Sequence, residues 1–417
     1  MGGGGREHAL AHALVQSPSL AKLYATPGNP GIGALAELLA LEAGDSAAVV
    51  SACRELAVDL VVVGPEAPLV AGLADTLRGA GISVFGPSAA AAMLEGSKAF
   101  TKELCVEAGI PTAAFVACRT EHDALAALDR FGVPVVVKAD GLAAGKGVVV
   151  AQTRAEAEDA VTRLLSEHGE LVIEEFLAGE EASLFALCDG HHVRLFATAQ
   201  DHKRVGEGDT GPNTGGMGAF SPAIALTPEL EARAMREIVE PTVAALAARG
   251  TPFVGVLFAG LMLTPEGPKL IEYNVRFGDP EAEAILPRFR GDFAQLLMRT
   301  ATARLAEAGW SFDERPALTV VVAARGYPGA AAGGGVIGEL RAAQADGAIV
   351  FQAGTRRVDG RLVASGGRVL AVTALGDDLR EARDRAYAAV DRIEYADGFC
   401  RRDIGWRALA ALDKAPA

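Results

Sequence analysis

The sequence contains few cysteines and no excess of positive charge. Its five cysteines among 417 residues are scattered and never spaced as Cys-x-x-Cys, which excludes a disulfide framework and gives no indication of a zinc site. The formal net charge of -14 argues against an open nucleic-acid or anionic-membrane surface, because both need a broad basic field. Any anion-binding site must therefore be local.

Long apolar runs are also missing. The N-terminus, MGGGGREHAL, lacks the apolar core of a signal peptide, and Arg6 stands where a myristoylation signal requires Ser or Thr. No later apolar run reaches membrane-spanning length, so the sequence predicts a cytoplasmic enzyme with no nucleic-acid or membrane partner. Half of the residues are hydrophobic, enough for about two to four domains with a large core.

Lysine is scarce, and its placement is uneven. Only eight of the 39 basic residues are lysines, yet five of these lie between Lys98 and Lys203. Where arginine is the usual cation, a lysine indicates a compact point charge that chemistry requires. Chance clustering is the alternative.

The order of apolar runs and turns predicts a change of architecture near residue 97. Up to that point helical patterns alternate with short apolar runs that end in Pro-Gly or Gly-Pro turns. This predicts an open parallel α/β sheet with ligands at the carboxyl ends of its strands. Residues 98–312 favour hairpins, and the polar, glycine-dense stretch 200–221 is predicted to be a loop, either functional or disordered.

One strand carries an unusual set of polar side chains. In IEYNVRFGDPE, which begins at Ile271, alternation places Glu272, Asn274 and Arg276 on one face and the apolar residues between them on the other. Two oxygen ligands beside a bidentate anion-binding fork suit Mg²⁺ and a reacting phosphate. The alternative is an edge strand with a solvated polar face.

Two glycine-rich segments are candidates for phosphate binding. Gly2–Gly5 lead into a helix whose amides could hold a phosphate, with Arg6 adding charge. GLAAGKG, beginning at Gly141, lacks the Walker spacing and precedes a strand, so it is interpreted as a hairpin tip that closes over phosphates beside Lys138 and Lys146. A flexible leader and an ordinary turn are the respective alternatives. Neither segment matches G-x-G-x-x-G, which disfavours a nicotinamide-dependent oxidoreductase.

Two polar segments offer contacts for the rest of a nucleotide or for a substrate. The stretch Glu174–Leu177, followed by Glu181, could meet an adenine edge and ribose hydroxyls, although most acidic turns are simply solvated. The stretch 201–221 offers many donors among six glycines, with disorder as the alternative.

Taken in order, these segments resemble the ATP-grasp ligases and, among them, the phosphoribosylamine-glycine ligase family. The resemblance spans essentially the whole chain, and the stretch 200–219 with the final CRRDIGW distinguishes this family from other ATP-grasp enzymes. The motifs that carry it are GGREHAL, GPEAPL, FGPS, EGSKAFTK, VVKADGLAAGKGV, EEFLAGEE, QDHKRVGEGDTGPNTGGMGA, IEYNVRFGDPE, GYPG, SGGRVL and CRRDIGWRAL.

The resemblance implies a multidomain α/β and α+β architecture. Residues 1–97 would form an N-terminal α/β substrate domain, and residues 98–312 an ATP-grasp domain with a lid subdomain at about 115–186. Residues 313–417 would form a small C-terminal α+β domain. The implied activity is ATP-dependent ligation of glycine to 5-phosphoribosylamine through a glycyl phosphate, by a monomer that uses Mg²⁺ or Mn²⁺.

The resemblance also implies roles for individual residues. The metal ligands would be Glu272 and Asn274, with Glu283 as a further carboxylate. The catalytic residues would be Arg276, Asp279 and Lys138. The residues implied at ATP are Lys102, Lys138, Gly145, Lys146, Gly147, Glu174, Glu175, Phe176, Leu177 and Glu181. The residues implied at the other substrates are Gly4, Gly5, Arg6, Asp201, Lys203, Arg204, Asn213, Gly216 and Arg276.

One departure from the family pattern lies at the N-terminus. Relatives begin with a short apolar strand and a Gly-Ser-Gly-Gly turn, whereas here only Met1 and Gly2 precede, and Gly3 stands at the serine position. The first strand of the N-terminal sheet is therefore expected to be missing. Two alternatives follow: another ATP-grasp carboxylate-amine ligase, or an inactive nucleotide-binding homologue.

Overall fold

Helices alternate with short parallel strands over the first 96 residues of the computed structural model, which describes residues 1–143 and 147–414. The elements are α1 (Gly5–Leu14), β1 (Tyr24–Ala25), β2 (Glu37–Leu38), α2 (Ser46–Glu55), β3 (Leu60–Val62), α3 (Glu66–Val70), α4 (Leu73–Gly79), β4 (Ser83–Phe85) and α5 (Ala89–Gly96). β1 pairs with β2 and β3 pairs with β4, both in parallel. The predicted parallel α/β architecture of this part is confirmed.

Met1 and Gly2 lie between these two strand pairs. The Met1 ammonium donates to the Val62 carbonyl at 2.6 Å, and the Gly2 amide donates to the Thr26 carbonyl at 2.7 Å. The Gly64 amide in turn donates to the Met1 carbonyl at 3.0 Å. The two residues thus connect β1–β2 with β3–β4, and no strand precedes α1 within the described ranges.

A small four-stranded sheet follows, covered by two helices. Its elements are α6 (Lys98–Ala108), β5 (Phe115–Cys118), α7 (Glu121–Phe131), β6 (Val135–Ala139), β7 (Val148–Ala151), α8 (Arg154–His168) and β8 (Leu171–Glu175). The strand order is β5-β8-β6-β7, with every neighbouring pair antiparallel. Thr120 and Thr153 accept amide hydrogen bonds at the starts of α7 and α8, which explains where these helices begin.

Nine of the remaining strands form one long sheet, in which every neighbouring pair is antiparallel. The strands and helices up to residue 312 are β9 (Glu180–Asp189), β10 (Val193–Asp201), β11 (Arg204–Gly206), β12 (Thr210–Asn213), β13 (Gly218–Ser221), α9 (Pro228–Ala234), α10 (Glu240–Ala248), β14 (Val254–Thr264), β15 (Gly267–Asn274), α11 (Glu281–Ile285), β16 (Phe289–Arg290), α12 (Phe293–Ala301) and β17 (Ser311–Phe312). Those that follow are β18 (Ala317–Ala324), β19 (Val336–Ile337), β20 (Ile349–Gln352), β21 (Thr355–Val358), β22 (Arg361–Ala364), β23 (Arg368–Leu375), α13 (Leu379–Val390), β24 (Gly398–Phe399) and α14 (Trp406–Leu412). The sheet order is β15-β14-β9-β10-β13-β18-β23-β20, with β24 beside β18.

Two sequence expectations about loops and boundaries need correction. The stretch 200–221 is not a loop: it contains the hairpin β11–β12 and then β13, which joins β10 to β18 and so makes the C-terminal strands part of the main sheet. The small subdomain ends near residue 175 and not near 186, because β9 belongs to the long sheet. Periodicity missed β13 because glycine and serine dominate its ends, although all four of its residues are buried.

The polar strand ends at Asn274, as predicted, and so before Arg276. β15 stops at Asn274, opposite Phe258 of β14, and the chain turns at Val275 and Arg276. Tyr273 and Val275 are buried in the core, as the alternation of faces predicts. Arg276 is therefore presented by a turn, and its direction is decided by its partners and not by strand alternation.

Close packing of two glycines brings the N-terminal part onto the long sheet. Gly255 of β14 has φ of +129°, and a Cβ there would stand 3.2 Å from the Cα of Gly86, just after β4. Only residues without side chains permit this approach. The carboxyl ends of β3 and β4 are thereby placed near the end of β15. Within the described ranges, no helix combines the length and apolar character needed to cross a membrane.

Candidate active site

Glu272 and Asn274 stand at the carboxyl end of β15 with their side-chain oxygens uncommitted. Within residues 1–143 and 147–414, no hydrogen bond or ion pair holds either side chain. Burial alone would raise the pKa of the Glu272 carboxyl, but surrounding cations outweigh it and lower that pKa. These cations are Lys203, Lys138, Lys98 and Arg276. The carboxylate is thus kept ionised in a positive field.

Lys102 and Lys138 share one buried carboxylate. Lys102 Nζ lies 3.0 Å and Lys138 Nζ 2.8 Å from the two oxygens of Glu174, and all three side chains are about 95% buried. Lys138 also donates to the Ile271 carbonyl at 3.2 Å, which connects the small sheet to β15. Burial lowers the pKa of Lys102, and Glu174 opposes that shift. Glu174 therefore balances two lysines in the folded chain.

Lys203 lies between carboxylates from three different elements. Its ammonium is 2.6 Å from Glu181 Oε2, and the charges of Glu181, Asp201 and Glu272 raise its pKa well above the usual value against the effect of burial. Burial raises the pKa of Asp201 to about 6, and it raises that of Glu281 to about 7 with help from Asp201. These two carboxyls therefore titrate as an interacting pair near neutral pH.

Arg276 is held by two carboxylates of the N-terminal part. Its Nη2 donates to Glu95 Oε1 at 2.9 Å, and its Nε donates to Glu66 Oε2 at 3.2 Å. Glu95 Oε2 also accepts from the Val275 amide at 2.8 Å. The guanidinium thus fastens the turn after β15 to α3 and α5. A substrate anion that binds Arg276 would therefore contact a guanidinium that Glu66 and Glu95 also contact.

Asp279 links three parts of the chain. Its Oδ1 lies 2.9 Å from Arg368 Nη2 of β23, and its Oδ2 accepts from the Arg6 amide at the start of α1. Burial would raise the pKa of Asp279, but Arg368 and then Arg6 outweigh it, so the pKa is lowered. Gly216 packs against Pro280, the next residue, where a Cβ would meet Pro280 Cδ at 2.4 Å.

The N-terminal glycines hold a carboxylate of their own chain. Glu7 accepts from the Gly4 amide and from Arg6 Nε, each at 2.6 Å. A Cβ at Gly2 or Gly64 would overlap the Glu7 side chain. The predicted helix after the glycine run is confirmed, but its first turn is already occupied by Glu7 and Asp279.

Glu283 is separate from the Glu272 group. It lies against Gly5, where a Cβ would stand 2.3 Å from Glu283 Oε1, and both of its carboxyl oxygens are buried without a hydrogen-bond partner in the described part of the chain. Burial, then the charge of Asp279, raises its pKa well above the usual value. A neutral carboxyl beneath α1 is the form that this environment favours.

The remaining predicted residues at ATP lie around the junction of the two sheets. Glu175 accepts from the Ala114 amide at 2.9 Å, and Phe176 is 41% exposed at the start of the connection to β9, followed by the half-buried Leu177. Gly147 accepts from the Ala139 amide at 2.8 Å. Gly145 and Lys146 lie outside the described residues.

Two predicted substrate residues lie in the hairpin β11–β12. Arg204 donates through Nη1 to the Gly211 carbonyl at 2.7 Å, within its own hairpin. Asn213 pairs with Arg204 across that hairpin through the backbone. Both residues contribute here to the shape of the 204–213 hairpin.

The donor set fits a hard divalent cation that also binds phosphate. In the described ranges, no group of three or more His, Cys, Asp or Glu side chains forms a metal cage. Mg²⁺ is commonly held by one or two protein oxygens together with substrate phosphates and water. The side-chain oxygens of Glu272 and Asn274, which have no partner among the described residues, match that pattern and not a closed structural site, and three lysines stabilise the charge of Glu272.

Several site residues received no role from the sequence. They are Lys98, which donates to the Gly141 carbonyl at 2.9 Å, Glu66 and Glu95 beside Arg276, Glu281 beside Asp201, and two arginines, the partly exposed Arg368 and the buried Arg401. All of them lie within four residues of a glycine in motifs shared with the family. Their partners are distant in sequence, so no local pattern shows the pairing.

Comparison with known proteins identifies the same three parts. Models of phosphoribosylglycinamide synthetase match residues 1–95 as its N domain, 96–282 as its ATP-grasp (A) domain and 317–407 as its C domain. The chain is 57% identical over 415 residues to phosphoribosylamine-glycine ligase of Mesorhizobium japonicum and 55% identical over 415 residues to that of Agrobacterium fabrum. Each alignment covers 98% of this chain and 98% of the relative.

Solved structures agree with this relationship. Phosphoribosylamine-glycine ligase from Thermotoga maritima superposes with a TM-score of 0.83 at 31% identity, covering 96% of this chain and 98% of that one. A biotin carboxylase domain from Hydrogenobacter thermophilus, solved with MgADP, ADP and bicarbonate, has a TM-score of 0.71 at 16% identity and covers 95% and 90%, which shows a shared fold. The chain therefore belongs to the phosphoribosylglycinamide synthetase, or phosphoribosylamine-glycine ligase, family of ATP-grasp proteins.

Proposed function

We propose that this chain joins glycine to 5-phosphoribosylamine at the expense of ATP, giving glycinamide ribonucleotide, ADP and phosphate in de novo purine biosynthesis. Family membership along almost the whole chain supports the substrates. The observation that carries the proposal is the placement of Glu272 and Asn274 at the end of β15. Neither side chain has a partner in the described part of the chain, and the charges of Lys203, Lys138 and Lys98 favour the ionised form of Glu272. That arrangement serves phosphoryl transfer to a carboxylate.

The proposed reaction has two steps and needs no protein nucleophile. The glycine carboxylate attacks the γ-phosphorus of ATP, releasing ADP and forming glycyl phosphate. The amine of phosphoribosylamine then attacks the acyl carbon, loses a proton and displaces phosphate. Catalysis rests on positioning and on stabilising charge.

The ATP end of the site would use the residues around Glu174. Lys138 and Lys102 now share the single carboxylate of Glu174. When ATP binds, each lysine would replace part of that contact by a contact with a phosphate oxygen. Phe176, with its exposed ring, and Glu175–Leu177 would meet adenine, and Glu181 would meet ribose. Gly145, Lys146 and Gly147 would lie over the phosphates.

The metal would be held by Glu272 and Asn274. When bound, Mg²⁺ or Mn²⁺ would neutralise charge on the phosphates of ATP. The environment of Glu272 keeps its carboxylate ionised and therefore able to act as a ligand. Glu283 would not take part, because it lies against Gly5 and its pKa is raised.

The two acceptor substrates would bind beyond the end of β15. Asp201 and Asp279 would receive the glycine ammonium, and Arg276 the glycine carboxylate or its acyl phosphate. The remaining residues proposed to contact phosphoribosylamine are Gly4, Gly5, Arg6, Lys203, Arg204, Asn213 and Gly216. Of these, Lys203 has the strongest support, because it faces both Asp201 and Glu272.

We also propose that one chain is a complete catalytic unit in the cytoplasm, with domains at 1–97, 98–312 and 313–417. Light scattering at the protein concentration used in assays tests the oligomeric state.

An ADP-release assay tests the activity. ADP should appear only when glycine, ATP, a divalent cation and phosphoribosylamine generated in situ are all present, and mass spectrometry should detect glycinamide ribonucleotide. Release of ADP with a different acid or amine would favour another ATP-grasp ligase. ATP binding without turnover under any of these conditions would favour an inactive homologue.

A further inference from the structure

The segment 202–216 carries part of the proposed substrate site but has little packing of its own. It contains the hairpin β11–β12, and residues 207–212 are mostly exposed. A two-stranded hairpin of this length is marginally stable by itself. Something outside the segment must therefore keep it in one arrangement.

Arg401 is the main contact that does so. Its side chain is only 1% exposed, although it carries a full charge. Nη1 donates to the Arg204 carbonyl at 3.0 Å and to Asp209 Oδ1 at 2.9 Å, while Nε and Nη2 donate to the two oxygens of Asp403 at 2.8 Å. Four hydrogen bonds thus use the whole guanidinium, which lysine could not reproduce.

Neighbours of Arg401 bind the same segment through their backbone. The Arg402 amide donates to Glu207 Oε1 at 3.0 Å, and the Gly405 amide donates to His202 Nε2 at 3.0 Å. In the reverse direction, the Gly208 amide donates to Asp403 Oδ2 at 2.7 Å. Residues 401–405 therefore contact the 202–209 part of the segment from beginning to end.

A second arginine of the C-terminal part holds the other end of the segment. Arg368 donates through Nη1 to the carbonyls of Gly215 and Asp279, the latter at 2.6 Å. Between these two attachments lies the chain that begins with Lys203, whose ammonium faces Glu181, Asp201 and Glu272. Movement of the hairpin would displace Lys203 relative to the end of β15.

We infer that Arg401 is a positioning residue: through Asp209 and the Arg204 carbonyl it fixes the 202–216 segment so that Lys203 meets the reacting groups. It touches no substrate. The identity of the affected substrate rests on the proposed function, whereas the ordering of the segment does not. The C-terminal CRRDIGW motif thereby acts on ligation from the far side of the hairpin.

Hydrogen exchange measured by mass spectrometry tests the ordering. In Arg401→Gln, peptides spanning 202–213 should exchange about tenfold faster or more, while peptides from β14 and β15 should be unchanged. The matched control is Arg402→Gln, because the Arg402 side chain pairs with Asp391, both about half exposed, and points away from the hairpin. Wild-type exchange in Arg401→Gln, or equal acceleration in Arg402→Gln, would overturn the inference.

Steady-state kinetics distinguish positioning from general damage. Arg401→Gln should lower kcat/KM for phosphoribosylamine by about tenfold to a hundredfold and leave KM for ATP within about twofold, with Arg401→Lys intermediate. An equal loss for both substrates would contradict the inference. If Arg401→Gln does not fold, Asp209→Asn tests the same contact. A wild-type chain without ligase activity would refute the proposed function alone, since the exchange experiment remains decisive for the segment.

Discussion

At the scale of single residues, the candidate site depends on carboxylates that are kept ionised in a positive field. Glu272 has no partner in the described part of the chain, yet its pKa is lowered. Glu174, in contrast, forms an ion pair with a lysine at each of its two oxygens. The first is available to a cation, whereas in the proposed function the second would release a lysine to the phosphates of ATP.

Replacing Glu272 by glutamine should impair catalysis far more than folding. The amide removes the negative charge that would hold the metal, so we expect kcat/KM for ATP to fall by about a hundredfold or more. The melting temperature should fall only slightly, because glutamine keeps the size of the side chain and gives up only the modest stabilisation that the nearby cations give the carboxylate. Glu266→Gln is the control, since Glu266 lies in the exposed turn after β14 and pairs only with Lys269. Unchanged turnover at saturating Mg²⁺ in Glu272→Gln would refute the ligand assignment.

The pH dependence of glycine use should report the pair Asp201 and Glu281. Burial raises the pKa of Asp201 to about 6, so below that pH the neutral carboxyl can no longer balance an ammonium. We expect kcat/KM for glycine to fall by about tenfold from pH 7 to pH 5. In Asp201→Asn this acid limb should be lost and kcat/KM at pH 7 reduced. An acid limb that persists unchanged in Asp201→Asn would contradict the assignment.

At the scale of elements, the glycines at the start of α1 bind a side chain of the same chain, where the sequence predicted a bound phosphate. Glu7 turns back to the Gly4 amide and lies against Gly2 and Gly64. The same turn carries Arg6, which donates to the Phe277 carbonyl at 3.3 Å and so contacts the chain after β15. The glycine run therefore positions a charged network between the N-terminal part and the site.

A methyl group at Gly64 should disturb this network. In Gly64→Ala the new Cβ would stand 2.2 Å from Glu7 Oε1, and we expect the free energy of unfolding to fall by about 1 to 3 kcal/mol. Gly79→Ala is the matched control at the end of α4, where a Cβ meets nothing within 4 Å. Urea denaturation measures both variants. Equal stability of the two would show that Glu7 moves aside at no cost.

At the scale of the whole molecule, side chains that cross between parts hold the site together. His8 of α1 accepts at Nδ1 from the Gln352 amide of β20 at 2.8 Å, which joins the N-terminal part to the last strand of the long sheet. Arg276 joins β15 to α3 and α5, and Arg401 joins the C-terminal part to the 202–216 segment. Two of these attachments, at Arg276 and Arg401, bear directly on residues of the candidate site.

His8 should make the molecule less stable in acid. Burial lowers its pKa to about 4 in the folded chain, below the value of about 6.5 in the unfolded chain, so its contribution is complete above pH 6.5 and is lost as pH falls toward 4. We expect a loss on the order of 1 to 2 kcal/mol between pH 7.5 and pH 5.

The variant His8→Asn isolates this effect, because the amide oxygen can accept from Gln352 but does not titrate. The stability difference between wild type and His8→Asn, measured by urea denaturation, should favour the wild type less at pH 5 than at pH 7.5. A difference independent of pH would show that His8 is not the titrating group.

Much of the fold and the polar strand was predictable from local pattern. Apolar alternation placed β15 and its buried Tyr273, threonine caps accompanied α7 and α8, and ordered motifs indicated the family. Each of these signals lies within a few residues of chain. Propensity, capping and side-chain periodicity act over that range, so they can be read without the tertiary structure.

By itself, then, the sequence determined the family, the sheet classes and the polar face of Glu272 and Asn274. Only the tertiary structure decided that β13 joins the C-terminal strands to the main sheet, that Arg276 is shared with Glu66 and Glu95, and that Arg401 holds the 202–216 segment. These partners are separated by up to about two hundred residues. Buried charges must be paired, and which opposite charges lie beside them is defined only once the chain has folded.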